Sequence, residues 1–369
     1  MPLLQEAEPH DRVRKHLRLN LNSDAWRRLR VNYSDQPISI VADLQSRIAG
    51  FWLAALQRVA YGPQMTHAES LEIIFIIGHW RSGTTLLHEL LCSDPRFNYT
   101  TTYACMNPQV FPITETAVLQ RAGSRSIMRP MDRMSISLAS PQEDEFALLA
   151  LGAASPYEGL LFPKALDRAM ATADPDDLDE PQQHDWVGVF LRFLGQVAAR
   201  KPGYPMVLKS PTHSYRIKIL SRLFPNAKFV HLIRNPLNVY SSTISMWKKL
   251  CSLYALTGMP EDNAIATQVI RNWIRMEEKL DAAIPSLGKS NYARVHYEAL
   301  TASPVAEMQR IYSELALGGF EQAVPHIESH LAGHAQFEKN RFDLAAREAS
   351  NVHRAWHHIF EKYGYAAPT

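Results

Sequence analysis

Residues Phe75–Thr85 read FIIGHWRSGTT. The stretch follows an apolar, β-branched run, LEIIFIIG, that ends in glycine, the pattern of a buried parallel strand. A strand, a glycine-bearing turn and a helix aim backbone N–H groups at whatever occupies the helix N-terminus. The helix dipole adds about half a positive charge there, so an anion is favoured. Gly78 and Gly83 have the spacing of the phosphate-loop template G-x-x-x-x-G-K-[ST], but Thr84 stands in place of the lysine. Arg81 supplies a cation within the loop instead, and Ser82, Thr84 and Thr85 supply hydroxyls.

Further strands are expected at Met206–Lys209 (MVLK), Lys228–Ile233 (KFVHLI) and Tyr292–Tyr297 (YARVHY). Helices are expected over Thr85–Ser93, over His213–Phe224 and from Pro236 onward, with proline suited to a first helical turn. Strands alternating with helices give an α/β fold: a P-loop-like parallel sheet covered by helices on both faces. Residues 1–70 read as a helical extension packed on the core, with an apolar stripe from Val41 to Val59 at helical spacing. Residues 71–369 read as a single domain, interrupted at about 104–203 by a proline-rich helical insertion.

Composition narrows the function. The 369 residues carry a formal net charge of only +2, which argues against a nucleic-acid partner. Cys92, Cys105 and Cys251 have neither metal-like spacing nor the number for a disulfide framework. No run approaches the ~20 apolar residues of a membrane span, and the N-terminus lacks a signal-peptide pattern. A cytoplasmic location is the expectation.

A nucleoside triphosphate fits the loop poorly. The lysine that reaches the β/γ-phosphates is missing, and KFVHLI leads into Arg234-Asn235 rather than a carboxylate for Mg²⁺. Arg234 lies at the C-terminal end of its strand, where open α/β sheets bind ligands. Ser241 and Ser242 follow on the next helix, and one of them can face the loop. An arginine and a serine make a second phosphate site. Two such sites predict a nucleotide with phosphates at both ends of its ribose.

These residues resemble the sulfotransferases that use 3′-phosphoadenosine 5′-phosphosulfate (PAPS). RSGTT is similar to that family's 5′-phosphosulfate loop, and Arg234–Ser242 (RNPLNVYSS) to its 3′-phosphate motif, an arginine followed eight residues later by a serine. The resemblance is closer to the bacterial, broad-family members. Leu86 stands where the animal cytosolic enzymes carry a tryptophan, and in LKSPTH Pro211 takes the place of their catalytic histidine, with His213 two residues later.

The resemblance implies transfer of a sulfuryl group from PAPS to a hydroxyl or amine, leaving adenosine 3′,5′-bisphosphate (PAP), with no metal. It implies Arg81 and Lys209 on the phosphate and sulfuryl oxygens, with Ser82, Gly83, Thr84, Thr85, Arg234 and Ser242 holding the nucleotide. A late basic loop with Lys339 and Arg341 is the counterpart of the loop that closes the 3′-phosphate site. Three residues compete as general base: His213, just past MVLK, and Glu143 and Glu145 in SPQEDEF. The acceptor is a small molecule, and Phe111, Phe146, Leu148, Leu149, Tyr157, Leu160 and Phe162 suggest an apolar one: a lipid, steroid, polyketide or phenol. The residues alone leave two alternatives, a P-loop kinase or nucleotidase without its lysine, and a nucleotide-binding protein without catalysis.

Overall fold

A computed structural model of the chain describes residues 19–36, 71–123, 125–129, 134–333 and 344–368. The apolar stripe expected from Val41 to Val59, and Lys339 and Arg341, lie outside the described residues.

The strands are β1 (Ile73–Ile77), β2 (Asn98–Tyr99), β3 (Ser126–Met128), β4 (Ser135–Ser137), β5 (Met206–Lys209), β6 (Lys228–Ile233) and β7 (Tyr292–His296). Five of them form one sheet in the order β2-β5-β1-β6-β7, every neighbouring pair parallel. β3 and β4 make a separate antiparallel ribbon. The run IIFII is buried throughout, as a central parallel strand covered on both faces must be. Its period of two sorts side chains into two cores. Ile73, Phe75 and Ile77 face one, with Met206, Leu208, Phe229 and Ile233. Ile74 and Ile76 face the other, with Val207, Val230, Leu232 and Val295.

Helices Thr84–Cys92, Pro304–Glu314 and Phe320–Gly333 contribute to the second core. The first core holds the insertion and helices Pro236–Tyr254 and Asp262–Ala283. It also takes in helix Ser23–Asn32, whose Trp26 and Leu29 are buried. That helix starts where Asn22 Oδ1 accepts from the Ala25 N–H at 2.7 Å. It docks on the insertion through Glu158, which accepts from Arg28 Nε at 2.8 Å and from the Tyr33 hydroxyl at 2.9 Å.

One expectation differs from the structure. The helix expected over His213–Phe224 is split into a 3₁₀ turn, Pro211–Tyr215, and a helix, Ile217–Leu223. Arg216 sits at the break with φ near −110°, its side chain drawn inward to a buried carboxylate. β2, β3 and β4 are too short to carry a periodic signal and escape the sequence reading. The parallel register leaves Gly78, Ser210, Arg234 and Tyr297, the residues following four strands, along one edge of the sheet.

Candidate active site

The loop after β1 owes its shape to two glycines. Gly83, at φ +102°, precedes helix Thr84–Cys92, and a Cβ on it would lie 2.3 Å from the Tyr297 ring. A Cβ on Gly78, at φ +142°, would lie 2.3 Å from the Leu232 carbonyl. Arg81 adopts φ +67° between them, a left-handed conformation that costs a non-glycine residue about 1–2 kcal/mol. The Ser82 hydroxyl donates to the His79 carbonyl at 2.8 Å, and the Gly78 N–H donates to Ser214 Oγ at 2.8 Å. The Thr84 and Thr85 amides, in the first helical turn, precede the first intrahelical bond, which the Leu86 and Leu87 amides make to the Gly83 carbonyl.

The segment after β6 meets this loop directly. Arg81 Nε donates to Ser242 Oγ at 2.9 Å, and Arg234 Nη1 donates to the Arg81 carbonyl at 3.1 Å. Of the two serines weighed in the sequence, Ser242 faces the loop, whereas the Ser241 hydroxyl bonds back to the Leu237 carbonyl of its own helix. Thr243 adds a further tie, its hydroxyl donating to the Trp80 carbonyl at 3.1 Å. The Arg234 guanidinium lies over the Tyr297 ring, 4.3 Å from its centroid. Burial, with the nearby Arg81 charge, pushes the Arg234 pKa below its usual range. Two guanidinium groups held this close repel one another, and an anion placed between them relieves that repulsion.

The acidic trio diverges. Glu143 reaches the strand ends, where Lys209 Nζ donates to Oε1 at 2.6 Å and the Tyr157 hydroxyl donates to Oε2. Its side chain is 17% exposed. Asp144 and Glu145 turn inward and are fully buried. Asp144 Oδ1 accepts from Ser210 Oγ at 2.9 Å and faces His213 Nε2 at 3.0 Å. Burial works against this carboxylate, yet His213, Ser210 and Arg216 hold its pKa below the usual value. An ionised Asp144 can only accept, so His213 carries its proton on Nε2. Glu145 takes both Arg216 Nη1 (2.5 Å) and Nη2 (3.1 Å), together with the hydroxyls of Ser155 and Thr212, each at 2.6 Å.

Arg81, Ser82, Gly83, Thr84, Thr85, Arg234 and Ser242 therefore gather around one loop, with Lys209 and Glu143 at the neighbouring strand end. His213 lies behind them, fully enclosed against Phe75 and Phe190. Glu145 belongs to a buried ion pair. The seven residues expected to line an apolar pocket, from Phe111 to Phe162, are packed in the first core, with Phe146 and Tyr157 nearest Glu143. Tyr157 figures in the sequence only as a pocket-lining residue, not as a partner of Glu143, and Thr243 and Tyr297 are not singled out there as site residues. Tyr297 is foreshadowed by its place one residue beyond β7, the position of Gly78 and Arg234 on their strands. Among the described residues, no group of three or more His, Cys, Asp or Glu could hold a metal ion, and no helix is long and apolar enough to cross a membrane.

The chain is similar to known proteins in sequence and in fold. A model described as the sulfotransferase family matches residues 73–322. The omega-hydroxy-beta-dihydromenaquinone-9 sulfotransferase Stf3 of Mycobacterium bovis and that of Mycobacterium tuberculosis are each 33% identical over 354 residues, 93% of this chain and 90% of theirs. The crystal structure of sulfotransferase STF9 from Mycobacterium avium covers 99% of this chain and 98% of its own, with a TM-score of 0.68 at 18% identity, a likeness of fold.

Proposed function

The chain belongs to the sulfotransferase family, and we propose that it moves a sulfuryl group from PAPS to the hydroxyl of an apolar acceptor by direct in-line displacement. The contact between Arg81 and Ser242 carries this reading. It joins the segment suited to a 5′-phosphosulfate to the segment suited to a 3′-phosphate, as a donor with anions at both ends of its ribose requires. The loop amides, Ser82, Thr84, Thr85 and Arg81 hold the phosphosulfate end. Arg234 and Ser242 hold the 3′-phosphate, and Lys339 and Arg341 remain candidates for closing over it.

Glu143 is the proposed general base. It combines residual exposure with contact to Lys209 at the end of β5. His213 and Glu145 are sealed in the interior, where no acceptor hydroxyl reaches them. As the acceptor oxygen bonds to sulfur, the bond from sulfur to the 5′-phosphate oxygen breaks. The acceptor proton passes to the Glu143 carboxylate, and PAP leaves. Lys209 and Arg81 stabilise the charge that builds on the sulfuryl and leaving oxygens.

For the acceptor we propose an isoprenoid quinone bearing a terminal hydroxyl. The support is the hydroxylated dihydromenaquinone in the names of two relatives at 33% identity. The test is transfer of labelled sulfate from PAPS to such a quinone in metal-free buffer. Labelled quinone and PAP in equal amounts support the reading. Phosphate transfer from ATP with Mg²⁺, and none from PAPS, refutes it in favour of a kinase.

A further inference from the structure

Glu143 is gripped from two sides, and one grip leads back to the donor loop. Its Oε2 accepts from the Tyr157 hydroxyl, and the same phenol oxygen accepts from Trp80 Nε1 at 3.2 Å. Residue chemistry fixes the direction of both bonds. An indole N–H can only donate, and an ionised carboxylate can only accept. The single phenol proton must therefore point at Glu143, and the chain runs from Trp80 through Tyr157 to Glu143. Trp80 lies between Gly78 and Arg81, and its own carbonyl is tied to Thr243. Where the donor loop goes, the phenol follows.

Tyr157 is also locked from behind. It is buried against Phe146, ring centroids 4.9 Å apart. Its N–H donates to Ser155 Oγ at 3.1 Å, and Ser155 donates to Glu145 of the buried ion pair. Burial, and Glu143 beside it, push the phenol pKa far up, so the hydroxyl stays a donor across the working pH range. The site thus has a rigid, permanently protonated donor aimed at the proposed base and set by the loop that would hold the sulfuryl donor.

We propose that Tyr157, oriented by Trp80, is a positioning residue that keeps the Glu143 carboxylate in register with the donor loop. The proposal rests on Glu143 being the base. With Lys209 on Oε1 and Tyr157 on Oε2, each carboxylate oxygen is held from one side, and one remaining lone pair can be aimed at the acceptor hydroxyl. Removing the phenol leaves the carboxylate free to rotate about the Lys209 bond.

The experiment compares Tyr157→Phe, Trp80→Phe, the double variant and Glu143→Gln, with the hydroxylated isoprenoid quinone as acceptor. PAP affinity by calorimetry and a thermal melt accompany each variant. For Tyr157→Phe the expected result is kcat lower by about 10–100-fold. Its acceptor KM and its PAP affinity should stay within about twofold, so that the loss falls on kcat alone. Trp80→Phe should lower kcat less and should add nothing in the Tyr157→Phe background. A purely structural role for Tyr157 would lower the melting temperature and weaken PAP binding without a selective fall in kcat. Wild-type kcat in Tyr157→Phe, beside an inactive Glu143→Gln, would overturn the positioning role alone. Full activity in Glu143→Gln would remove the base assignment beneath it.

Discussion

Arg81 Nε and Ser242 Oγ lie 2.9 Å apart, although 161 residues separate them in the chain. The contact follows from the strand order. β1 and β6 are parallel neighbours in the sheet, so the loop leaving one and the helix leaving the other start side by side. Thr243, one residue on, holds the Trp80 carbonyl, so the helix grips the loop at two successive positions.

Gly83→Ala tests how tightly that loop is cast. The added methyl meets the Tyr297 ring, and the backbone sits in the left-handed region. Overpacking of this kind costs about 1–3 kcal/mol. Urea unfolding should show that loss, and PAP binding should weaken because the Tyr297 ring also carries Arg234. Wild-type stability and affinity would mean that the loop has slack.

The three carboxylates of the acidic trio should separate cleanly. Glu143→Gln should lower kcat by about 10²–10⁴-fold with PAP affinity retained. His213→Leu should cost stability, because Asp144 loses a partner in the interior, whereas His213→Gln, whose amide can still donate, should keep kcat within about tenfold. A His213→Gln enzyme that folds, binds PAP and is inactive would return the role of base to His213.

Glu145→Gln breaks a buried ion pair and leaves Arg216 without its counter-charge. Breaking such pairs costs about 3–5 kcal/mol. The expected outcome is a large drop in urea midpoint, read by fluorescence of buried tryptophans such as Trp186, over whose ring the Arg216 guanidinium lies. An unchanged midpoint with selective loss of turnover would instead make Glu145 a participant in the reaction.

Stability should fall on mild acidification. Burial lowers His79 to about 4, and burial with the Lys209 charge lowers His88 to about 3. Burial also takes His231 to about 3, helped by the Lys362 charge. The unfolded chain protonates these groups near their ordinary 6.5 while the folded chain keeps them neutral, so unfolding takes up protons below that pH. Their contribution is complete above about pH 6.5 and declines by about 1.4 kcal/mol per group per pH unit towards the folded values. Urea midpoints at about pH 7.5 and about pH 5 check the sign. His79→Phe, which keeps an aromatic ring against Trp273, should flatten the slope.

The sheet was legible because its central strands are apolar throughout and end in signals: glycine after IIFII, lysine closing MVLK, arginine after KFVHLI. The two anion segments were legible because a glycine spacing and an arginine–serine spacing survive as linear patterns. The direction of side chains within an acidic run was not. Glu143, Asp144 and Glu145 look alike in sequence, and their fates depend on Lys209, His213 and Arg216, which lie 66, 69 and 71 residues away respectively. The apolar residues of the insertion were equally ambiguous, since a pocket wall and a packed core have the same composition, and here they form core.

The most direct test of the account is calorimetry of PAP and of adenosine 5′-monophosphate, without metal, on the wild type and on Arg81→Ala and Arg234→Ala. PAP should bind far more tightly than the monophosphate. Arg234→Ala should lose about 10–100-fold in PAP affinity, as expected for a hydrogen bond to a charged group, while barely changing the monophosphate. Arg81→Ala should weaken both. Equal affinity for the two nucleotides, or PAP binding untouched by either substitution, would contradict a site that clasps one donor at both ends.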